Sequence, residues 1–430
     1  MKNLIYISDS YALGGTELYV FRLFEMSKTE FSLYTLVLND TNISNECSDK
    51  LQEYHVKIGN ICENRKGYII KNIDLESVLK ADDTIIFATS LRCFIATSYI
   101  RNKYKQYYIK NFLYVLHPEA VLPFSYDSFK RKYNNRLLRM LIELMRKIYI
   151  IPYKKSIFKM IDSKQIVFMD QQTYENTKKI YNDNDTHDYE IIRIGTNVLD
   201  WREDFRIYYE KNCVITISRI DFPFKGYLKG LIDDFSLINK KYKDSKLVII
   251  GDGDSRSELE SMINNLGSNV REKITWIKSV RYDKLEEYLK RAMVFIGMGT
   301  SILDAAQYGI PSILASAYQI DNYAASFFHD KPDRVGISVW EEGGKKYHFY
   351  DLIKFIFELD TKTYNNLCTL TYDNYKNNYD INIIYNNLFK RNYECVDDYK
   401  QLKRIIDIKL LYRVLKSRRA MKYVKENVKH

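Results

Sequence analysis

Two cations six residues apart, Arg219 and Lys225 in the stretch Ser218–Gly226, can converge on a single anion. The stretch follows an apolar run and opens a helical pattern. Loops of that kind lie at the carboxyl ends of the strands in an α/β sheet, where ligands bind, and a diphosphate matches two cations. The same residues also read as a solvated loop with two surface charges. A second stretch, Gly251-Asp252-Gly253 after Val248–Ile250, lets the backbone approach a ligand closely, and equally makes a plain turn. The third runs from Gly297 to Ala306, out of a strand and into a helix. Its first amides at Gly299, Thr300 and Ser301, together with two hydroxyls, suit an anion, while Thr300 or Ser301 would serve as well as an ordinary N-cap. Asp304, about one turn into that helix, is placed to accept hydrogen bonds from a ribose.

Other acidic groups have the spacing of metal ligands. Asp183-Asn184-Asp185 sits in a polar tract and reads as solvated loop, and Asp252-Gly253-Asp254 belongs to the glycine stretch above. The adjacent pairs Asp82-Asp83 and Asp233-Asp234 read as solvated faces. No cysteine pair has zinc spacing, since Cys47, Cys62, Cys93, Cys213, Cys368 and Cys395 are scattered, which fits reduced thiols.

The elements that must hold these residues are short apolar runs alternating with helical patterns. Strands are expected near Leu4–Ile7, Tyr34–Leu38, Thr84–Ala88, Phe112–Leu116 and Ile166–Met169. The alternation repeats at Val214–Ile217, Lys246–Ile250, Ile274–Ile277, Met293–Gly297 and Ser312–Ala315. Strand then helix, repeated, means an open, mostly parallel α/β sheet. The rhythm breaks between Gly195 and Lys211, where a linker is expected. At 430 residues the chain exceeds one ordinary core. The domains are therefore placed at 1–200, 211–385 and a basic helical segment at 386–430.

The net charge of +11 is concentrated: residues 101–160 carry fourteen Lys/Arg against three Asp/Glu, and residues 401–430 carry ten against two. Such segments attract an anionic lipid surface, a lipid-linked phosphate or nucleic acid. Residues 131–151 read as one helix with Arg136, Arg139, Arg146 and Lys147 beside an apolar stripe, suited to anionic lipid or to packing on its own domain. A similar stripe at 404–419 is expected to pack, with the last residues reaching lipid. Nucleic acid is disfavoured because no recognition motif accompanies the charge. No apolar run of about 18 residues occurs and the start lacks a signal-peptide core, so a cytoplasmic protein is expected, peripheral on the inner face of the cell membrane.

Strand-Ser-Arg-x5-Lys-Gly, then strand-Gly-Asp-Gly, then an acid in Leu303-Asp304-Ala305-Ala306 before Gly309-Ile310-Pro311, resembles the donor domain of retaining, family-four (group 1) GT-B glycosyltransferases over residues 213–317. The resemblance implies two Rossmann-like α/β domains facing across a cleft, with the C-terminal helix crossing back to the first. It implies that Arg219 and Lys225 neutralise the diphosphate of a UDP- or GDP-linked sugar, that Asp304 binds the ribose and that Ile277 lies beside the base. In the first half Gly14-Gly15-Thr16-Glu17 and His117 resemble the family's phosphate-facing glycines and sugar-facing histidine. The family's first glutamate, eight positions before its second, falls on Ile296, so Gly299, Thr300 and Ser301 would take over or activity would be lost. The implied activity is a metal-independent hexosyltransferase without cofactor, acting on a glycan or lipid-linked acceptor in bacterial lipopolysaccharide or capsule synthesis. Rivals are an inactive GT-B subunit that stabilises a partner transferase, and an epimerase or phosphorylase on the same fold.

Overall fold

The computed structural model describes residues 2–122, 153–197, 209–396 and Leu402, apart from 12–13, 39–42, 65–66, 282–283, 320, 333 and 336–345. The basic helix expected at 131–151, the stripe at 404–419 and the middle of the expected linker lie outside the described residues. The chain divides into two compact units, Met1–Ile192 with Asn387–His430, and Arg193–Asn386.

The first unit is built on seven strands: β1 (Lys2–Ser8), β2 (Phe31–Leu38), β3 (Lys57–Asn64), β4 (Gly67–Lys71), β5 (Thr84–Ala88), β6 (Ile109–Val115) and β7 (Ile166–Phe168). Their order is β4-β3-β2-β1-β5-β6-β7, parallel except for the β3/β4 pair. The central strand β1 pairs Leu4 with Leu33 of β2 and with Ile85 of β5. Covered on both faces, β1, β2 and β6 read as continuous apolar runs, which is why periodicity finds them. The pair β3/β4 was not expected. Only part of β3 is buried, and its Lys, Asn and Glu dilute the apolar signal.

Polar side chains fix the helix starts: Ser90 accepts from the Cys93 amide, and Asp170 accepts from both the amide and the hydroxyl of Thr173, at 2.7 and 2.6 Å. Asp183 corrects an expectation. Rather than solvated, it is buried, with Lys154 Nζ at 2.8 Å and His187 Nε2 at 2.9 Å. These partners hold its carboxyl below the usual range against the opposing effect of burial. The chain then returns to this unit, where Phe389 packs among Phe31, Phe87 and Phe112 at 5.7 to 6.1 Å between ring centroids. Helix ends at Phe389, and 390–396 are not helical although a helical segment was expected from 386. This strap is held instead by specific bonds, including Arg391 to Glu190 at 2.9 Å and the Val396 amide to Gln165 at 3.0 Å.

The second unit carries β8 (Cys213–Ile217), β9 (Lys246–Ile250), β10 (Ile274–Ile277), β11 (Val294–Gly297), β12 (Ser312–Leu314), β13 (Tyr323–Ala324), β14 (Ser326–Phe327) and β15 (Tyr347–His348). Its main sheet runs β10-β9-β8-β11-β12-β14, parallel up to the antiparallel β14, with β13 and β15 forming a separate ribbon. The order turns back between β8 and β11, which makes that junction the topological switch point. The ends of the expected linker are packed. A Cβ at Gly195 would meet Ile381 at 2.7 Å, and the Thr196 amide donates to the Tyr379 carbonyl at 2.8 Å. Asp234 is a second correction: buried in the helix Tyr227–Lys241, it accepts from Asn322 and from the Tyr350 amide, both at 2.7 Å. Burial raises its pKa from the ordinary carboxylate value. Asp82 and Asp83 are exposed. Among the described residues no helix is long and apolar enough to cross a membrane.

Candidate functional site

The loops after β8 and β11 flank the switch point, and they carry Arg219, Lys225, Thr300, Ser301 and Asp304. After β8 the chain loops through 218–226 before the helix Tyr227–Lys241, whose Tyr227 hydroxyl lies 3.2 Å from that of Thr216. Inside this loop the Lys225 amide donates to the Asp221 carbonyl at 2.8 Å. Arg219 is exposed and reaches Asp221 at 3.4 Å. Lys225 is half-buried, with its ammonium 5.2 Å from the Phe224 ring centroid and no ion-pair partner among the described residues. Burial, and then the neighbouring Arg219 charge, push its pKa down from 10.5 to about 7, with Asp221 opposing weakly. Two cations that repel each other on a partly desolvated loop make a site in want of an anion.

The glycines of the second loop serve a different contact from the one their sequence suggested. Gly251 has φ 137°, and a Cβ there would lie 2.0 Å from the Ser218 carbonyl. A Cβ at Gly253 would lie 2.3 Å from the Ile220 carbonyl. The Ile220 amide donates to Asp252 and the Ser255 amide to Ile220, at 2.9 and 3.0 Å. Glycine is therefore required so that this loop can brace the backbone of the arginine loop. Asp252 turns its carboxylate to Arg256, with Nε at 2.8 Å. Ile277 is half-buried at the end of β10, and its carbonyl already accepts from the Gly251 amide at 2.8 Å. Trp276, not singled out from sequence, donates its indole N–H to the Gly251 carbonyl at 2.8 Å and so locks the same loop.

The connection from β11 to the helix Thr300–Ala306 is only Met298 and Gly299. Gly299, at φ 72°, gives its amide to the Val335 carbonyl at 2.6 Å, and the Ser301 hydroxyl donates to the Met298 carbonyl at 3.1 Å. The Gly299 amide and Ser301 hydroxyl are thus taken, a correction to their expected role. The Thr300 hydroxyl has no partner among the described residues, and Thr300 and Ser301 are half-buried at the loop mouth. Asp304 is buried and close enough to raise the pKa of Tyr308, after the larger effect of burial. Ile296 lies inside β11, fully buried in the core. The position of the missing acid is a core strand residue, and so short a connection leaves no loop to carry one.

A fourth loop, after β12, carries no expectation from the sequence. Tyr318 adopts φ 61°, donates its amide to the Phe224 carbonyl at 2.9 Å and packs edge-on to the Phe224 ring at 5.2 Å. A Cβ on Gly226 would meet the Gln319 carbonyl at 2.4 Å, so this loop seats the lysine end of the β8 loop. Asp234 anchors it through Asn322. The one available signal was its place after a parallel strand.

In the first unit Gly14 precedes the helix Gly15–Ser27 after β1, with Gly15 exposed and Glu17 in the first turn. His117 follows β6, half-buried, and its carbonyl accepts from Ala120 at 2.9 Å. All three stand at carboxyl ends of strands. Unexpected there is a charged network in which Asp9 binds Arg92 at 2.9 Å and Ser90 at 2.7 Å, while Arg92 also reaches Glu63 at 3.3 Å. Away from these loops, Asp183, Asp185 and His187 bring ligand-type atoms within 4.8 Å of one another.

Residues 197–329, spanning all four of these loops, match the profile of the Glycosyl transferases group 1 family. The second unit carries a group 1 glycosyl transferase domain. Around this transferase domain the chain has the GT-B fold, as solved structures similar to it over about nine-tenths of its length show. Anabaena HepE, solved with UDP and glucose, has a TM-score of 0.58 at 11% identity, covering 90% of this chain and 98% of its own. A Rickettsia africae glycosyltransferase has a TM-score of 0.57 at 13% identity, covering 93% and 98%. A variant of S. aureus TarM, solved with fondaparinux, alpha-GlcNAc-glycerol and UDP, has a TM-score of 0.55 at 11% identity, covering 90% and 99%. No curated protein sequence matches the chain.

Proposed function

We propose that the transferase domain binds a UDP- or GDP-linked sugar and that the chain transfers the sugar, with retention and without a metal, to a glycan or lipid-linked acceptor. One observation carries this reading: Lys225, half-buried beside Arg219, has no ion-pair partner among the described residues at the switch point of its sheet. A donor diphosphate supplies the missing charge. HepE has been solved with UDP-glucose, and the TarM variant with UDP and a glycan, on the same fold at low identity.

In the proposed chemistry the bond between the anomeric carbon and the β-phosphate oxygen breaks, leaving negative charge on the diphosphate. Arg219, Lys225 and the amides of Thr300 and Ser301 stabilise that charge as it develops, because they are held in place beforehand. The acceptor hydroxyl forms the new bond on the same face and gives its proton to the departing phosphate. Asp304 accepts from the ribose hydroxyls, Ile277 borders the base, and Gly251 and Gly253 hold the Arg219 loop in register. Gly14 and Gly15 approach the donor phosphates, and His117 hydrogen-bonds the sugar. The setting proposed is bacterial lipopolysaccharide or capsule assembly at the inner face of the membrane, with 131–151 and 404–419 on anionic lipid.

A second reading, an inactive subunit that stabilises a partner transferase, is favoured by the core position of Ile296. Calorimetric titration with UDP and GDP, paired with mass spectrometry of reactions offered a donor panel, separates the two. Nucleotide binding lost in Arg219→Ala and Lys225→Ala, with sugar transfer detected, supports the enzyme. Absence of binding by either nucleotide would falsify it and leave the subunit.

A further inference from the structure

At the amino end of β6, in the first unit, the turn after the helix Leu91–Lys103 and the returning strap enclose a pocket of about 360 Å³. That is the size of a site for one small molecule. Its wall includes Arg101, Lys105 and Lys110 with Tyr107, Tyr108 and Tyr393 and, among the described residues, no Asp or Glu. The three cations lack an anionic partner among the described residues. Arg101 spends its N–H groups on neutral carbonyls of Cys395 and Val396, at 3.0 and 3.3 Å. Lys110 stands 5.3 Å from the Tyr393 ring centroid. The Tyr393 hydroxyl is buried with no hydrogen-bond partner among the described residues, and burial raises its pKa so that it stays a donor. A buried hydroxyl on this wall is a donor that an acceptor on a bound molecule would satisfy.

We propose that this pocket binds a phosphate monoester on a small polar body, the phosphate facing Arg101, Lys105 and Lys110 and the body resting on the tyrosine rings. The phosphate chemistry is common to a free sugar phosphate and a phospholipid headgroup. The pocket is separate from the loops already described: His117 follows the opposite end of β6, roughly 20 Å along a seven-residue strand. The proposal is independent of the donor site.

The test uses the full chain carrying Arg219→Ala and Lys225→Ala, so that phosphate binding at the donor loop does not contribute. Glucose 6-phosphate and inorganic phosphate are titrated by calorimetry, and phosphatidylcholine vesicles doped with phosphatidic acid are assayed by co-sedimentation. Saturable binding of glucose 6-phosphate, stronger than that of inorganic phosphate, is expected for a free ligand; binding confined to the vesicles identifies a headgroup only when measured with Arg136, Arg139, Arg146 and Lys147 neutralised. In either case Lys105→Ala with Lys110→Ala weakens binding about tenfold or more. Tyr393→Phe weakens it too without lowering the thermal midpoint, while Lys240→Ala with Lys243→Ala in the second unit has no effect. The proposal is overturned if no probe binds, or if binding is equally sensitive to both lysine pairs.

Discussion

Lys225 loses its proton near neutral pH because folding removes water from the ammonium and sets Arg219 beside it. An anion reverses both effects, so under the proposed function the ammonium would be stabilised by a bound diphosphate. Asp304 is the complementary case, a buried carboxylate one turn from the Thr300 hydroxyl, suited to accept from two adjacent sugar hydroxyls. Asp304→Ala is expected to weaken UDP or GDP binding by at least about tenfold, or about 1.4 kcal/mol. Unchanged affinity in calorimetry would remove the ribose assignment. The place of Arg219, Lys225 and Asp304 on the segments that follow β8 and β11 was legible in the sequence because the apolar runs before them mark the strands. The state of the donors was not. That Gly299 gives its amide to Val335 and Ser301 its hydroxyl to Met298 depends on contacts that no local pattern encodes.

At the scale of elements, three loops brace one another: the glycine loop underlies the arginine end of the β8 loop, and the loop after β12 seats its lysine end. Gly251→Ala forces a side chain into a left-handed backbone and onto the Ser218 carbonyl. It should lower stability by about 1–3 kcal/mol in urea unfolding and weaken nucleotide binding in the protein that remains folded. Wild-type stability would show that the loop has room the geometry denies. Strands buried on both faces, such as β1 and β8, were readable as apolar runs. The one-sided hairpin β3/β4 was not, nor was the burial of Asp183 and Asp234, whose partners Lys154 and Asn322 lie 29 and 88 residues away. Adjacent acids look solvated until such partners are known.

For the whole molecule, the alternation of strands and helices gave the α/β architecture, and two main sheets in two units follow from a chain too long for one core. Charge is distributed as unevenly as the fold is regular, with its excess near 101–160 and in the tail. Neutralising Arg136, Arg139, Arg146 and Lys147 together should reduce co-sedimentation with anionic vesicles at low salt, where screening is weakest. Equal binding would remove the membrane role of that segment.

The most direct measurement is UDP binding by calorimetry in two buffers of different ionisation enthalpy. With Lys225 at about 7 in the free protein and higher beside a diphosphate, binding takes up protons above neutrality, and affinity falls as pH rises through that range. At about pH 8 the uptake should approach about one proton per UDP, shrinking at about pH 6 and disappearing in Lys225→Met. Identical heats in both buffers at about pH 8, or uptake that survives in Lys225→Met, would contradict a diphosphate seated on that ammonium.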